Sequence, residues 1–289
     1  MYKAAENRCK LEQELTLPPP PPLRYAFYYV MIGCVALEGA LCVTNFWGAT
    51  AKVYRDAHMA QTGGKRTTTR TVLRNPITWL VALFLLGYVG AEVSLGGWIV
   101  DFMLKVRDAE PFSAGLTVTF FWLGLTVGRV VLGFVTGRIG EKLAITAYLL
   151  LSVALQLLYW LVPSFVASAV FVAFLGFFLG PLFPAAIVAA TKLLPSDTHV
   201  SAIGFAAAFG GGGAAIFPFV VGAIAQTKGV AVLQPIVVSI LVFILLLWWG
   251  LPGGMRRGGL ENAREQHHKV GHELREGMQW LKRRSGKTE

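Results

Sequence analysis

Seven long apolar runs constrain this chain more than any other feature of its sequence. They cover residues 25–47, 77–100, 115–136, 143–162, 165–191, 200–225 and 230–250. Each has the roughly 20 residues that an α-helix needs to cross a hydrocarbon core about 30 Å thick. Because backbone polar groups in lipid must be satisfied internally, such runs fold as helices. The sequence therefore predicts an all-α, multi-pass membrane protein with seven transmembrane helices.

The composition agrees with this class, since 55% of the residues are hydrophobic and only 15% are charged. The mean hydropathy of +0.58 exceeds what a soluble domain usually carries. No run or loop shows a paired nucleophile and base, a phosphate-binding loop or a complete metal site. We therefore predict no enzymatic activity, no cofactor and no metal. The net charge of +10 needs no nucleic-acid partner, because cytoplasmic loops beside anionic lipids explain it.

The lysines and arginines orient the chain. Eighteen of the 26 lie in the loop 48–76, in the turns after the third and fifth runs, and in the tail 252–289. Seven lie in segment 1–24 and the alternate turns, and Arg129 lies within a run. The positive-inside rule then predicts a cytoplasmic C-terminus and an external N-terminal segment. The prolines at 18–22 favour an extended spacer there. No address signal distinguishes the plasma membrane from an internal one.

Glu92 is the first candidate site residue, because a carboxylate at membrane depth is costly unless it faces a cavity or has a partner. It shares a helical face with Tyr88, Leu95 and Ile99. We predict that Tyr88 and Glu92 form a functional site on this face. The alternative is a structural Glu92 that is hydrogen-bonded to neighbouring helices and fixes their register.

Glycines and prolines mark where helices cross or break. The third run carries Gly124-x-x-x-Gly128 and Gly133-x-x-x-Gly137, spacings that allow close helix packing in membranes. The fifth run carries Gly180-Pro181 and then Pro184, which predicts a kink whose lost backbone hydrogen bonds need other partners. The glycine run 210–213 in the sixth indicates either a tight crossing or a hinge.

The stretch 133–142, GFVTGRIGEK, follows Gly128-Arg129 and resembles the cytoplasmic motif of the major facilitator superfamily, Gly-x-x-x-Asp-Arg-x-Gly-basic-basic. It departs from that motif at Gly137, where an acid is usual, and at Glu141, where a base is usual. The resemblance implies a gating role for a set of five residues. They are Arg129, Gly133, Gly137, Arg138 and Gly140.

The stretch 87–98, GYVGAEVSLGGW, is similar to the seventh helix of fucose-permease-like sugar:proton symporters and their fungal relatives. This resemblance implies alternating-access transport of a small polar solute, a sugar, with possible proton coupling through Glu92. It implies that Tyr88 and Glu92 contribute to substrate binding or proton coupling and that Trp98 stacks on a sugar ring. The seven runs then correspond to helices six to twelve of a twelve-helix fold, a six-helix bundle 77–251 plus one preceding helix. Either a second chain supplying the N-terminal half, or a full-length relative, is then the expected partner, or the sequence is a truncated isoform or an incomplete gene model. Two alternatives stay open, a half-transporter with a modulatory role or no transport activity, and a seven-helix receptor.

Overall fold

The computed structural model describes residues 21–47, 72–195, 198–254 and 260. These residues form helices joined by short turns, and no strand occurs among them. The helices are α1 (Pro21–Phe46), α2 (Pro76–Val106), α3 (Pro111–Ile139), α4 (Glu141–Leu161), α5 (Phe165–Leu179), α6 (Leu182–Leu193), α7 (His199–Lys228) and α8 (Leu233–Gly250), with a 3-10 turn at Val230–Val232 before α8.

Seven helical spans in the described residues are long and apolar enough to cross a membrane, which confirms the predicted fold class. Several helices extend beyond the apolar runs, because amphipathic end residues continue the hydrogen-bonded backbone; α2, for example, reaches Val106. The fifth span, Phe165–Leu193, consists of two helices, α5 and α6. The break that separates them falls at Gly180 and Pro181, where the sequence predicts a kink.

Helix α1 belongs to a compact unit of its own, Met1–Arg66. It begins at Pro21, so the prediction of an extended spacer is wrong for Pro21 and Pro22. Proline is accepted in the first turn because that turn's N–H groups have no partner within the helix. Residues 18–20, and most of the basic tail after 254, lie outside the described residues.

Helix α2 is the central helix of the second unit, Thr67–Glu289. It packs against α3, α6, α7 and α8, while α3 packs mainly on α5. Its side chains Phe84, Leu85, Leu95 and Ile99 are buried among these neighbours. A helix surrounded in this way is fixed in position, so a side chain that it carries is held at a definite place.

Two helix crossings depend on glycine. A Cβ added to Gly124 or Gly128 of α3 would collide with the backbone of α5 at Ala173 or Phe177. Gly213 of α7 lies equally close to the Leu86 carbonyl of α2. Helix α7 remains one helix through its glycine run and through Pro218. The glycines at 210 and 213 therefore serve close packing, one of the two interpretations that the sequence left open.

The bundle has two ends, which we name after a cation at each. At the Arg107 end, Arg107 donates to the carbonyls of Tyr159 and Trp160 (2.8 and 3.2 Å) and to Ser168 Oγ (3.1 Å), which joins α2, α4 and α5. At the Lys142 end, the nearly buried Lys142 ammonium donates to the carbonyls of Leu251 and Gly253, just beyond α8. Both cations bind carbonyls left unpaired where helices end.

Candidate functional site

The candidate site is built around the break between α5 and α6. Each proline lacks the N–H that would bond the carbonyl four residues earlier, so Pro181 leaves the Phe177 carbonyl free and Pro184 leaves the Gly180 carbonyl free. Unpaired carbonyls within a membrane are costly unless another group compensates. The break therefore needs donors from a neighbouring helix.

Helix α3 approaches both carbonyls through two successive residues. Gly128 lies so close to the Phe177 carbonyl that no side chain would fit between them. Arg129 Nε donates a hydrogen bond of 3.1 Å to the Gly180 carbonyl. Arg129 thus compensates the carbonyl that Pro184 leaves free, and the break holds its guanidinium in place.

The same guanidinium faces Glu92 on α2. Arg129 Nη2 lies 3.9 Å from Glu92 Oε1, with side-chain exposures of 46% and 13% respectively. This distance permits electrostatic attraction but exceeds that of a direct hydrogen bond. The pair is therefore loose, and its exposed side is open to a polar group that could bridge the two charges.

Tyr88 lies one helical turn before Glu92 and is fully buried. Within the described part of the chain its hydroxyl has no hydrogen-bond partner, yet it is close enough to interact electrostatically with Glu92 and Arg129. Its ring packs near Phe183, just after the helix break, with 6.4 Å between ring centroids. The structure therefore brings Tyr88, Glu92 and Arg129 together, with Tyr88 behind the ion pair and not on the exposed side.

Trp98 lies six residues after Glu92 on α2, which places it about 9 Å farther along the helix axis at 1.5 Å per residue. Its indole Nε1 donates to the Pro218 carbonyl of α7 at 3.2 Å, and its ring covers Gly222. The described contacts of Trp98 are thus between helices, and its predicted stacking on a sugar ring stays a prediction.

The remaining motif residues lie apart from Glu92, at the Lys142 end. Arg138 is exposed in the last turn of α3, and a Cβ at Gly133 or Gly137 would meet open space. Gly140 forms the single-residue turn into α4 with φ 107°, a conformation that favours glycine. Glu141, which departs from the motif, pairs with Lys192 at the end of α6 (2.8 Å).

From the sequence, Arg129 is expected to pair with an acid or with helix-terminal carbonyls, and both contacts occur, but the sequence does not identify Glu92 as that acid. The signal that points to Arg129 is the spacing of Pro184 and Gly180, which identifies the carbonyl in need of a donor. No comparable signal marks Glu92 as the acid near Arg129, since the proximity depends on how α2 packs against α3. The hydrogen bonds from Arg107 to Tyr159, Trp160 and Ser168 likewise depend on how the helices pack, so the sequence does not predict them.

Comparison with known proteins places these features in a family. A family model described as Major Facilitator Superfamily matches residues 93–283. The chain is 38% identical over 190 residues to Bypass of stop codon protein 6 of Saccharomyces cerevisiae, covering 62% of this chain and 38% of that protein. It is 32% identical over 186 residues to a glucose/galactose transporter of Brucella abortus, covering 60% and 42%. It is 28% identical over 141 residues to the glucose/mannose transporter GlcP of Bacillus subtilis, covering 47% and 33%.

The fold resembles that of the Escherichia coli fucose:proton symporter FucP, with a TM-score of 0.57 at 16% identity, covering 63% of this chain and 44% of that one. A second structure of FucP, in an outward conformation, matches equally well. The chain spans less than half of the length of the curated relatives it matches.

Proposed function

Because the chain belongs to the Major Facilitator Superfamily, we propose that it moves a small polar solute, a sugar, across a membrane by alternating access. Relatives named as glucose/galactose and glucose/mannose transporters support the solute class. The same family membership agrees with the prediction that the chain is not an enzyme, and it favours a transporter over a seven-helix receptor. The observation that carries the proposal is the half-exposed Arg129 facing the membrane-depth carboxylate of Glu92.

The chemistry of the pair suits a sugar and a proton. Glu92 accepts hydrogen bonds when ionised and Arg129 donates them, so neighbouring hydroxyl groups of one sugar can bridge the 3.9 Å between them. Protonation of Glu92 removes the charge that attracts Arg129, while the Gly180 carbonyl still holds the guanidinium. Proton binding at Glu92 would in this way couple to solute binding, with Tyr88 positioning the carboxylate from behind.

Glu92→Gln in the reconstituted full chain tests the coupling. Vesicles containing the purified protein are given labelled glucose, galactose or fucose with acid outside. We expect the substitution to abolish pH-driven accumulation and to leave exchange partly intact, because an amide cannot carry the proton. Asp101→Asn is the matched control, since Asp101 lies on the same helix but pairs with Lys105 in an exposed position. Unchanged pH dependence in Glu92→Gln would remove Glu92 from the coupling role.

A second candidate is a half-transporter that modulates a full-length relative without moving solute itself. It is favoured by the share of its relatives that the chain spans, since alternating access needs two halves around a shared site. Labelled-sugar flux no faster than in protein-free vesicles would contradict independent transport. Co-expression with a full-length fungal relative then decides, because an unchanged uptake rate of that relative would contradict modulation as well.

A further inference from the structure

A second buried polar cluster lies between α4 and α8, on a different pair of helices from the candidate site. Gln156 of α4 and Gln234 of α8 are both fully buried, and Gln156 Nε2 donates to Gln234 Oε1 at 2.6 Å. Ser152 and Tyr159 share the helical face of Gln156 and are fully buried too. Polar side chains are thus concentrated over two turns of α4 and the start of α8.

The hydrogen bonds within this cluster are incomplete. Gln156 Oε1, Gln234 Nε2, Tyr159 Oη and Ser152 Oγ are all buried without a hydrogen-bond partner among the described residues. The Tyr159 hydroxyl is near enough to the Gln234 amide to interact with it. Each such atom loses its hydrogen bonds to water without replacement if it stays unpaired, which is costly for a contact between two helices. Another polar molecule is the direct means of removing that cost.

We propose that this cluster binds an internal water molecule, held between the two glutamine amides and the Tyr159 hydroxyl. A buried water makes about three hydrogen bonds and accepts as well as donates. It would donate to Gln156 Oε1, accept from Gln234 Nε2 and share a hydrogen bond with Tyr159. The unpaired atoms offer both donors and acceptors, which a water molecule matches and an ion of one charge does not.

The surroundings of the cluster favour a lasting site. Arg107 binds the Tyr159 carbonyl at the adjacent end of the helix, and Phe102 packs edge-on against the Tyr159 ring at 5.0 Å. These contacts enclose the cluster from the Arg107 end. A water held there would join α4 to α8 through polar bonds at that end, while the Lys142 contacts join the same helices at the other.

X-ray radiolytic labelling of the full chain in detergent tests the proposal, because hydroxyl radicals form only where water is present. We expect Tyr159 to be modified although it is fully buried. Trp248 is the control, since it is a buried and intrinsically more reactive side chain whose indole N–H already bonds to the Lys142 carbonyl. Tyr159 labelled no faster than Trp248 would overturn the proposal.

The variant Gln156→Leu checks that the labelling comes from this site. Leucine removes the amide that binds the water, so we expect the rate at Tyr159 to fall to that of Trp248. A rate at Tyr159 that stays at the wild-type level would show that water reaches the tyrosine by another route, which also overturns the proposal. If the variant does not fold, the wild-type comparison of Tyr159 with Trp248 still decides.

Discussion

Two spans among the described residues carry proline well away from their ends, and one of the two breaks. The span Phe165–Leu193 divides into α5 and α6 at Gly180 and Pro181, whereas α7 continues as one helix through Pro218. In the first, two prolines three residues apart free two carbonyls that face the same neighbour, α3. In α7, the single proline Pro218 frees one carbonyl. The break thus occurs where a neighbouring helix lies against both freed carbonyls and donates a hydrogen bond to one of them.

Glycine has different roles in the two spans. At the break, Gly180 lies against the backbone of α3 at Leu125 and Arg129, so α3 approaches the very point where hydrogen bonds are lost. In α7, Gly210 and Gly213 face α2. In the broken span, the neighbouring helix comes closest at the prolines. In α7, it comes closest at glycines that lie at least five residues before Pro218.

The largest expected effect comes from a side chain that blocks the close contact between α3 and α5. Gly128→Ala places a methyl group against the Phe177 carbonyl, and we expect it to lower the free energy of unfolding by at least about 2 kcal/mol. Gly133→Ala on the same helix meets open space, so we expect it to leave stability unchanged or to raise it by up to about 1 kcal/mol. Unfolding in mixed detergent micelles measures both. Equal effects of the two variants would contradict the close crossing.

An intermediate effect tests the link between Arg129 and Pro184. Arg129→Gln leaves the Gly180 carbonyl without this donor, but in a Pro184→Ala background the new backbone N–H can bond that carbonyl. We expect the loss of stability from Arg129→Gln to be about 1–2 kcal/mol smaller in that background. A double-mutant cycle under the same unfolding conditions measures this coupling. Additive effects would show that Arg129 does not compensate for the proline.

The smallest effect is expected in the unbroken span. Pro218→Ala adds one backbone hydrogen bond to a helix that is already continuous, so we expect the free energy of unfolding to stay constant or to rise by about 1 kcal/mol at most. The bond from Trp98 to the carbonyl of residue 218 does not depend on the side chain there. A loss as large as that of Gly128→Ala would mean that Pro218 has a structural role equal to that of the break.

The sequence alone predicts the spans well because hydrophobic length is a local property. It also locates the break, since Pro181 and Pro184 act on their own helix. It does not predict which side chain faces which across helices, and for that reason the Glu92–Arg129 and Gln156–Gln234 pairs emerge only from packing. The sequence does not predict that α1 starts at Pro21, because five successive prolines favour an extended segment, although the first turn of a helix accepts proline.

The single-residue turn at Gly140 has a mechanical consequence. Helices α3 and α4 are long and are joined by one residue, so neither can shift along its axis without displacing the other. Any rearrangement that displaces Arg129 must then carry this hairpin as one piece, or it must bend α3 itself. An extra residue inserted beside Gly140 would lengthen this connection and weaken the coupling between the two helices.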